Sequence, residues 1–154
     1  MVTIRAACAQ DIELLAQLHG RVCDEAWSAA DFSHFVADAQ VVCRVAVVES
    51  GGIVGCVVLR IVLDEAEVIT LGVDVPMRGK GIAHLLLNHA LHVAASLQVQ
   101  QCFLEVREDN VAAITLYQRV RFRQVGVRKD YYVMPQGRKD AWMMVLILAD
   151  FKEI

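Results

Sequence analysis

The sequence has little of what marks several large classes of protein. Its five cysteines, Cys8, Cys23, Cys43, Cys56 and Cys102, form no Cys-x-x-Cys pair and have no nearby Cys/His ligand spacing. That excludes a zinc site or a disulfide framework as the organising element, so no metal is expected and the thiols read as reduced, buried small hydrophobes. With only two prolines and no Pro/Gly/Ser-rich stretch, no linker divides the chain. No segment repeats at a period of about 20–50 residues, which excludes solenoids and propellers. The longest strongly apolar run, Ala141 to Ala149, is far short of the roughly 20 residues that a membrane-spanning helix needs. The N-terminus also lacks a basic segment followed by an apolar run of the secretory kind, so no membrane association and a cytoplasmic location are expected. Positive charge is not in excess: a net charge of −3 offers no general basic surface for a phosphate backbone, which argues against nucleic acid as a partner.

What is present describes one ordered unit. The 154 residues fit a single domain over 1–154, of the size (roughly 100–150 residues) at which domains are commonest. The hydrophobic fraction of 56% supplies the apolar surface that disordered chains lack. Val2–Ala6 reads as a strand, and Asp11 to Glu25 as a helix with Ile12, Leu15, Leu18, His19 and Val22 on one face. A second helix follows, with Ser28 as N-cap and Asp31 in the capping-box position. Val41–Val48 and Ile53–Val62 are β-branched runs around Ser50-Gly51-Gly52 and predict a hairpin. Val68–Val75 predicts a further strand, and the helix opening near Gly81 puts Ile82, Leu86, His89, Ala90, Val93 and Leu97 on one stripe. Gln101–Arg107 returns as a strand, and Asn110 caps a fourth helix. Phe122–Arg128 and Ala141–Leu148 predict a last pair of strands around a polar loop with Pro135 and Gly137. The order predicts an α/β fold: a mixed, mostly antiparallel seven-stranded sheet flanked by about four helices, with one parallel crossover at Val68–Arg107.

Chemistry enters at Pro76-Met77-Arg78-Gly79-Lys80-Gly81-Ile82-Ala83, between a strand and a helix. A helix N-terminus offers unpaired N–H groups and the positive end of its dipole, which suit a diphosphate. Glycine lets the backbone come close, and Arg78 and Lys80 add charge. The segment lacks the Walker spacing and the Gly-x-Gly-x-x-Gly pattern, so nucleotide hydrolysis and dinucleotide binding lose ground. A solvated basic turn satisfies the same residues.

Val73 through Ala83 resembles the pyrophosphate-binding motif of the GNAT acetyltransferases, Gln/Arg-x-x-Gly-x-Gly/Ala after a strand. Leu104-Glu105-Val106-Arg107, Asn110 and Ala112-Ala113-Ile114-Thr115-Leu116-Tyr117 resemble the RimI-type protein N-terminal acetyltransferases of that family. So do Trp27-Ser28, Arg128-Lys129-Asp130-Tyr131-Tyr132 and Asp140-Ala141, so the similarity covers nearly the whole chain. The resemblance implies the GNAT fold and acetyl-coenzyme A as cosubstrate, with Leu71, Gly72 and Val73 along the pantetheine and acetyl group. It implies Arg78, Gly79, Lys80, Gly81, Ile82, Ala83 and His84 around the pyrophosphate, Asn110 as a further coenzyme contact, Glu105 as general base and Tyr117 as general acid. Trp27, Tyr131 and Tyr132 would face the acceptor, implied to be the N-terminal alanine of small-subunit ribosomal protein eighteen, with the enzyme a monomer or weak dimer.

The residues support these roles on chemical grounds. A carboxylate among Cys102, Phe103, Leu104 and Val106 costs free energy unless paired or used. An α-amino group, with a pKa of about 7.7–8, must lose a proton before attacking a thioester. Glu105 can accept it if an apolar setting raises its pKa or a water relays the proton. The oxyanion would meet a backbone N–H near Val73, and strand alternation puts Cys102 opposite Glu105, which favours direct transfer over a cysteine-borne intermediate. Two departures from the family pattern stand out: Val120-Arg121-Phe122 replaces Leu-Gly-Phe, and the proline of Val75-Pro76 is shifted by one position. A small-amine or lysine acetyltransferase and a silent acyl-coenzyme A-binding module are the alternatives.

Overall fold

A computed structural model describes residues 1–151. It contains strands β1 (Val2–Ala6), β2 (Val41–Val48), β3 (Ile53–Val62), β4 (Glu65–Val73), β5 (Gln101–Arg107), β6 (Arg123–Met134) and β7 (Gly137–Ile147), and helices α1 (Ile12–Val22), α2 (Ala29–Ala37), α3 (Ile82–Ser96) and α4 (Val111–Arg119). The strands form one sheet in the order β1-β2-β3-β4-β5-β7-β6, antiparallel except between β4 and β5. This is the expected seven-stranded mixed sheet with four helices.

Alternation along the strands divides the core in two. Val42 and Ala46 of β2 join Leu86, Leu87, Ala90, Leu91 and Ala94 of α3 and Leu116 of α4 on one face, while Cys43 and Val45 join Leu15, Leu18 and Phe32 of α1 and α2 on the other. Ser28 caps α2 as read from the sequence, its hydroxyl accepting from the Asp31 N–H and the Asp31 carboxylate returning to the Ser28 N–H.

Three expectations are corrected. Leu97 is 56% exposed and the buried face of α3 centres on Leu86, Leu87, Ala90 and Leu91, because this helix is apolar almost all round and its period alone does not choose a face. The loop expected between the last two strands is itself strand: β6 and β7 pair down to Met134 and Gly137, leaving Pro135-Gln136 as the turn. The ladder absorbs the polar residues through a bulge between Arg128 and Tyr132, where Asp130 takes φ 53°. Strand β4 begins at Glu65 rather than Val68, after a two-residue turn in which Leu63 takes φ 56°, and ends at Val73.

One feature of the sheet places the site. Strands β4 and β5 pair only at Glu65–Gln101, Ala66–Cys102 and Glu67–Phe103, and beyond these they separate. Ile69 adds an extra residue to β4 within the splayed part, where the register against β3 shifts between Val58 and Leu59.

Candidate active site

The splay opens into a cleft of about 780 Å³. Leu71, Gly72 and Val73 wall one side, Asn110 and Tyr117 the other, and Arg78, Gly79, Gly81, Ile82, Ala83 and His84 close one end. Val22 and Asp24, from the end of α1 and the turn after it, also line it. Because α1 covers one sheet face and α3 with α4 the other, the cleft passes through the sheet between the strands.

Backbone polarity in the cleft follows from strand alternation. The Asp74 N–H donates to Val54 on β3 at 2.8 Å, so the polar groups of Val73 point to the opposite, unpaired edge. Arg78 Nε confirms that direction by donating to the Val73 carbonyl at 2.9 Å, which folds the loop back onto β4. Arg78 itself lines the cleft and brings there the charge that the sequence suggested.

At the loop, Gly79 and Gly81 have φ of 77° and 81°, and a Cβ at either would meet nothing within 4 Å. Backbone conformation, more than close packing, requires glycine there. Gly81 is the N-cap of α3 and makes no side-chain cap, and the first turn holds no acidic residue. The N–H groups of Ile82, Ala83 and His84 precede the first intrahelical bond, Leu85 to Gly81, and are open to an anion. Lys80 is outside the cleft lining, its Nζ lying 3.9 Å from Met77 Sδ. His84 lies 3.4 Å from Arg119 Nη1, and burial together with that guanidinium lowers its pKa. Arg119, at the end of α4, lines the cleft and was not singled out from the sequence, although a cation in the last turn of the Asn110-capped helix was visible there.

Asn110 both caps and lines. Its Oδ1 accepts from the Ala113 N–H at 3.2 Å, and the residue borders the cleft. Tyr117 is buried, packs edge-on against Phe122 at 5.5 Å between ring centroids, and lines the cleft wall. Burial pushes its phenol well above the usual tyrosine range, so it stays protonated. Cys102 is fully buried and burial pushes its thiol up to about 12.

Glu105 is placed differently from expectation. Cys102, Leu104 and Val106 turn to the α3 face, so of the apolar neighbours in sequence only Phe103 shares the face of Glu105. Its carboxylate accepts from Arg128 Nε at 2.6 Å, reaching across β7 to β6, and its side chain is 29% exposed. The Arg128 guanidinium also sits 5.8 Å over the Tyr131 ring, and Tyr131 packs edge-on against Tyr132 at 5.2 Å. Burial, then the charge of Glu105, raises the Tyr132 pKa. Tyr131 and Tyr132 thus join Glu105 in one cluster. Glu105 itself does not line the cleft, but Arg107, two residues along the same strand face, does, and it pairs with Asp24 at 3.5 Å. Trp27 lies apart from this cluster: it is half-buried, stacked on His19 and packed against Phe32 and Phe35. Among the described residues no group of His, Cys, Asp or Glu is arranged to hold a metal ion.

The chain belongs to the Acetyltransferase (GNAT) family, which it matches over residues 12–122. It is 36% identical over 89 residues to the ribosomal protein bS18-alanine N-acetyltransferase of Salmonella typhimurium, a match covering 58% of this chain and 60% of that protein. The protein of the same name from Escherichia coli K12 is 34% identical over 98 residues, covering 64% and 66% respectively. The chain thus spans under two thirds of the length of these curated relatives. The crystal structure of the ribosomal-protein-S18-alanine N-acetyltransferase from Escherichia coli is similar with a TM-score of 0.88 at 28% identity, over 96% of this chain and 94% of that one.

Proposed function

We propose that this protein is an acetyl-coenzyme A-dependent N-acetyltransferase, a single domain over 1–154, that acetylates the N-terminal α-amino group of a protein in the cytoplasm. The observation that carries this is the cleft itself: it runs from the open N–H groups of α3, through the sheet, to the face that bears Glu105. A pyrophosphate at Gly79–His84 and a pantetheine along the unpaired edge of Leu71–Val73 would deliver a thioester to the splay. No helix among the described residues is long and apolar enough to cross a membrane. The names of the relatives support the N-terminal alanine of ribosomal protein bS18 as the acceptor.

Glu105, on the face with Tyr131 and Tyr132, takes the proton from the acceptor ammonium, directly or through a water. The free amine attacks the thioester carbonyl, and the oxyanion is met by the Val73 N–H on the open edge of β4. Collapse breaks the carbon–sulfur bond and expels the coenzyme A thiolate. Tyr117, kept protonated by burial, donates a hydrogen bond to the sulfur. Its pKa lies above that of a thiol, about 8.5, so it stabilises the thiolate, and the second proton, shed by the attacking nitrogen as the amide forms, passes through water in the cleft to the sulfur. A direct attack in a ternary complex suits the buried, undissociated thiol of Cys102, which is a poor acyl carrier.

The test is single-turnover release of free thiol from acetyl-coenzyme A by wild-type protein and Glu105→Gln, with a short Ala-Arg N-terminal peptide or spermidine as acceptor. Peptide-dependent release that falls by about 10²–10⁴ in the variant, the range for a lost general base, is expected. Release with spermidine alone would move the acceptor to small amines. Coenzyme binding without release to either would leave an acyl-coenzyme A-binding module.

A further inference from the structure

His19 is 2% exposed, lies in the last turn of α1 and uses both ring nitrogens. The Trp27 backbone N–H, a donor only, is 2.9 Å from Nδ1, so Nδ1 carries the lone pair and the ring proton sits on Nε2, 3.2 Å from Thr70 Oγ1. Burial lowers the histidine pKa and so favours the neutral ring, the form able to accept at Nδ1. The Trp27 indole covers the imidazole at 4.6 Å and 22°. Both partners are placed to matter. Thr70 precedes Leu71 on the strand that walls the cleft, and Trp27 ends the segment between α1 and α2 whose Asp24 lines the cleft and pairs with Arg107. The same strand is pressed on α1, since a Cβ at Gly72 would come within 2.9 Å of Val22.

We propose that His19 is a positioning residue: it ties the α1–α2 connection to β4, fixes that connection as the acceptor-side wall of the cleft, and so sets affinity for the acceptor without contacting acetyl-coenzyme A. The proposal rests on the acetyltransferase reading. It explains why a polar ring occupies a core position, where an apolar side chain would pack but would leave the Trp27 N–H and Thr70 hydroxyl without this link.

The two hydrogen bonds are separable by substitution. Asparagine Oδ1 stands where Nδ1 accepts, whereas the glutamine amide reaches only toward the Nε2 position and leucine replaces neither. With the Ala-Arg peptide, His19→Asn and His19→Gln, each keeping one of the two bonds, are expected to raise the peptide KM about three- to tenfold, the loss for one neutral hydrogen bond, and His19→Leu, which keeps neither, to raise it further. The KM for acetyl-coenzyme A should stay constant throughout. A Trp142→Phe background leaves Trp27 as the sole tryptophan of the two. In it, acrylamide quenching of the emission should increase for Gln and Leu and not for Asn, a readout that needs no turnover. Equal rises in peptide KM for all three variants, a parallel rise in the KM for acetyl-coenzyme A, or no rise at all would overturn the proposal. If the wild-type protein turns over no peptide, the reading of a protein N-terminus as acceptor fails instead. Unchanged quenching across the three variants would then still refute His19 as the tie.

Discussion

Replacing Arg121 by glycine should stabilise the protein. Helix α4 ends in a paired hydrogen-bond pattern: the Phe122 N–H donates to the Tyr117 carbonyl and the Arg121 N–H to the Gln118 carbonyl, both at 3.0 Å. That arrangement requires a left-handed residue at the position after the cap, and Arg121 supplies it with φ 85°. An L side chain in that region costs about 1–2 kcal/mol, whereas glycine enters it freely. Against this, glycine loses more backbone freedom on folding, about 0.5–1 kcal/mol. Arg121 is exposed and makes no ion pair among the described residues, so its side chain gives up little else. The net gain is then about 0.5–1 kcal/mol, a rise in Tm of roughly 1–4 °C for a chain of this size. Urea denaturation and thermal melts of wild type, Arg121→Gly and Arg121→Ala measure it. Alanine keeps the left-handed strain and is the control. A glycine variant no more stable than the alanine variant would refute the reasoning.

Two further outcomes concern stability. The Asp11 carboxylate accepts from Arg5 at 2.7 Å and from the Cys8 N–H at 2.8 Å, and its pKa falls to about 2, first through the Arg5 hydrogen bond. A carboxyl depressed on folding contributes above its unfolded value and loses that contribution as pH falls from about 4 to 2. Asp11→Asn should therefore cost about 1–2 kcal/mol at pH 7, discounted for the partly exposed arginine, and its denaturation midpoint should converge on wild type as pH drops through that window. Gly55→Ala should destabilise by about 1–3 kcal/mol in the same assay, because the new Cβ would meet Leu86 Cδ1 at 2.9 Å and the Gly72 carbonyl at 3.1 Å, and a strand carbonyl cannot give way.

The sequence and the structure agree where local chemistry decides and part where distant residues do. The capped ends of α2 and α4, the β-branched runs and the glycine loop before α3 are local, and each was legible from residues within a turn or two. The surroundings of Glu105 were not. Sequence neighbours suggested an apolar setting, but alternation sends Cys102, Leu104 and Val106 to the far face, and the group that meets the carboxylate, Arg128, lies 23 residues away on the strand beyond the next. The length of β6 was hidden for a related reason: Lys129 and Asp130 read as loop, yet a single left-handed residue lets the ladder resume at Tyr132. Arg121 shows the reverse case, where the turn forms despite losing the glycine that would announce it.

The short pairing of β4 with β5 has a mechanical consequence. Within the sheet, four strands on one side and three on the other are stitched by only three residue pairs, and the crossover through α3 with the core beneath it holds the rest of the seam. A long, thin molecule lying in the gap would carry tension between the halves that backbone bonds elsewhere carry, and would act as a fastener as well as a reagent. In such a design rigidity would be borrowed from the cargo: a molecule that bound there would stiffen the walls of the gap while it stayed, and by the same linkage would stabilise the fold.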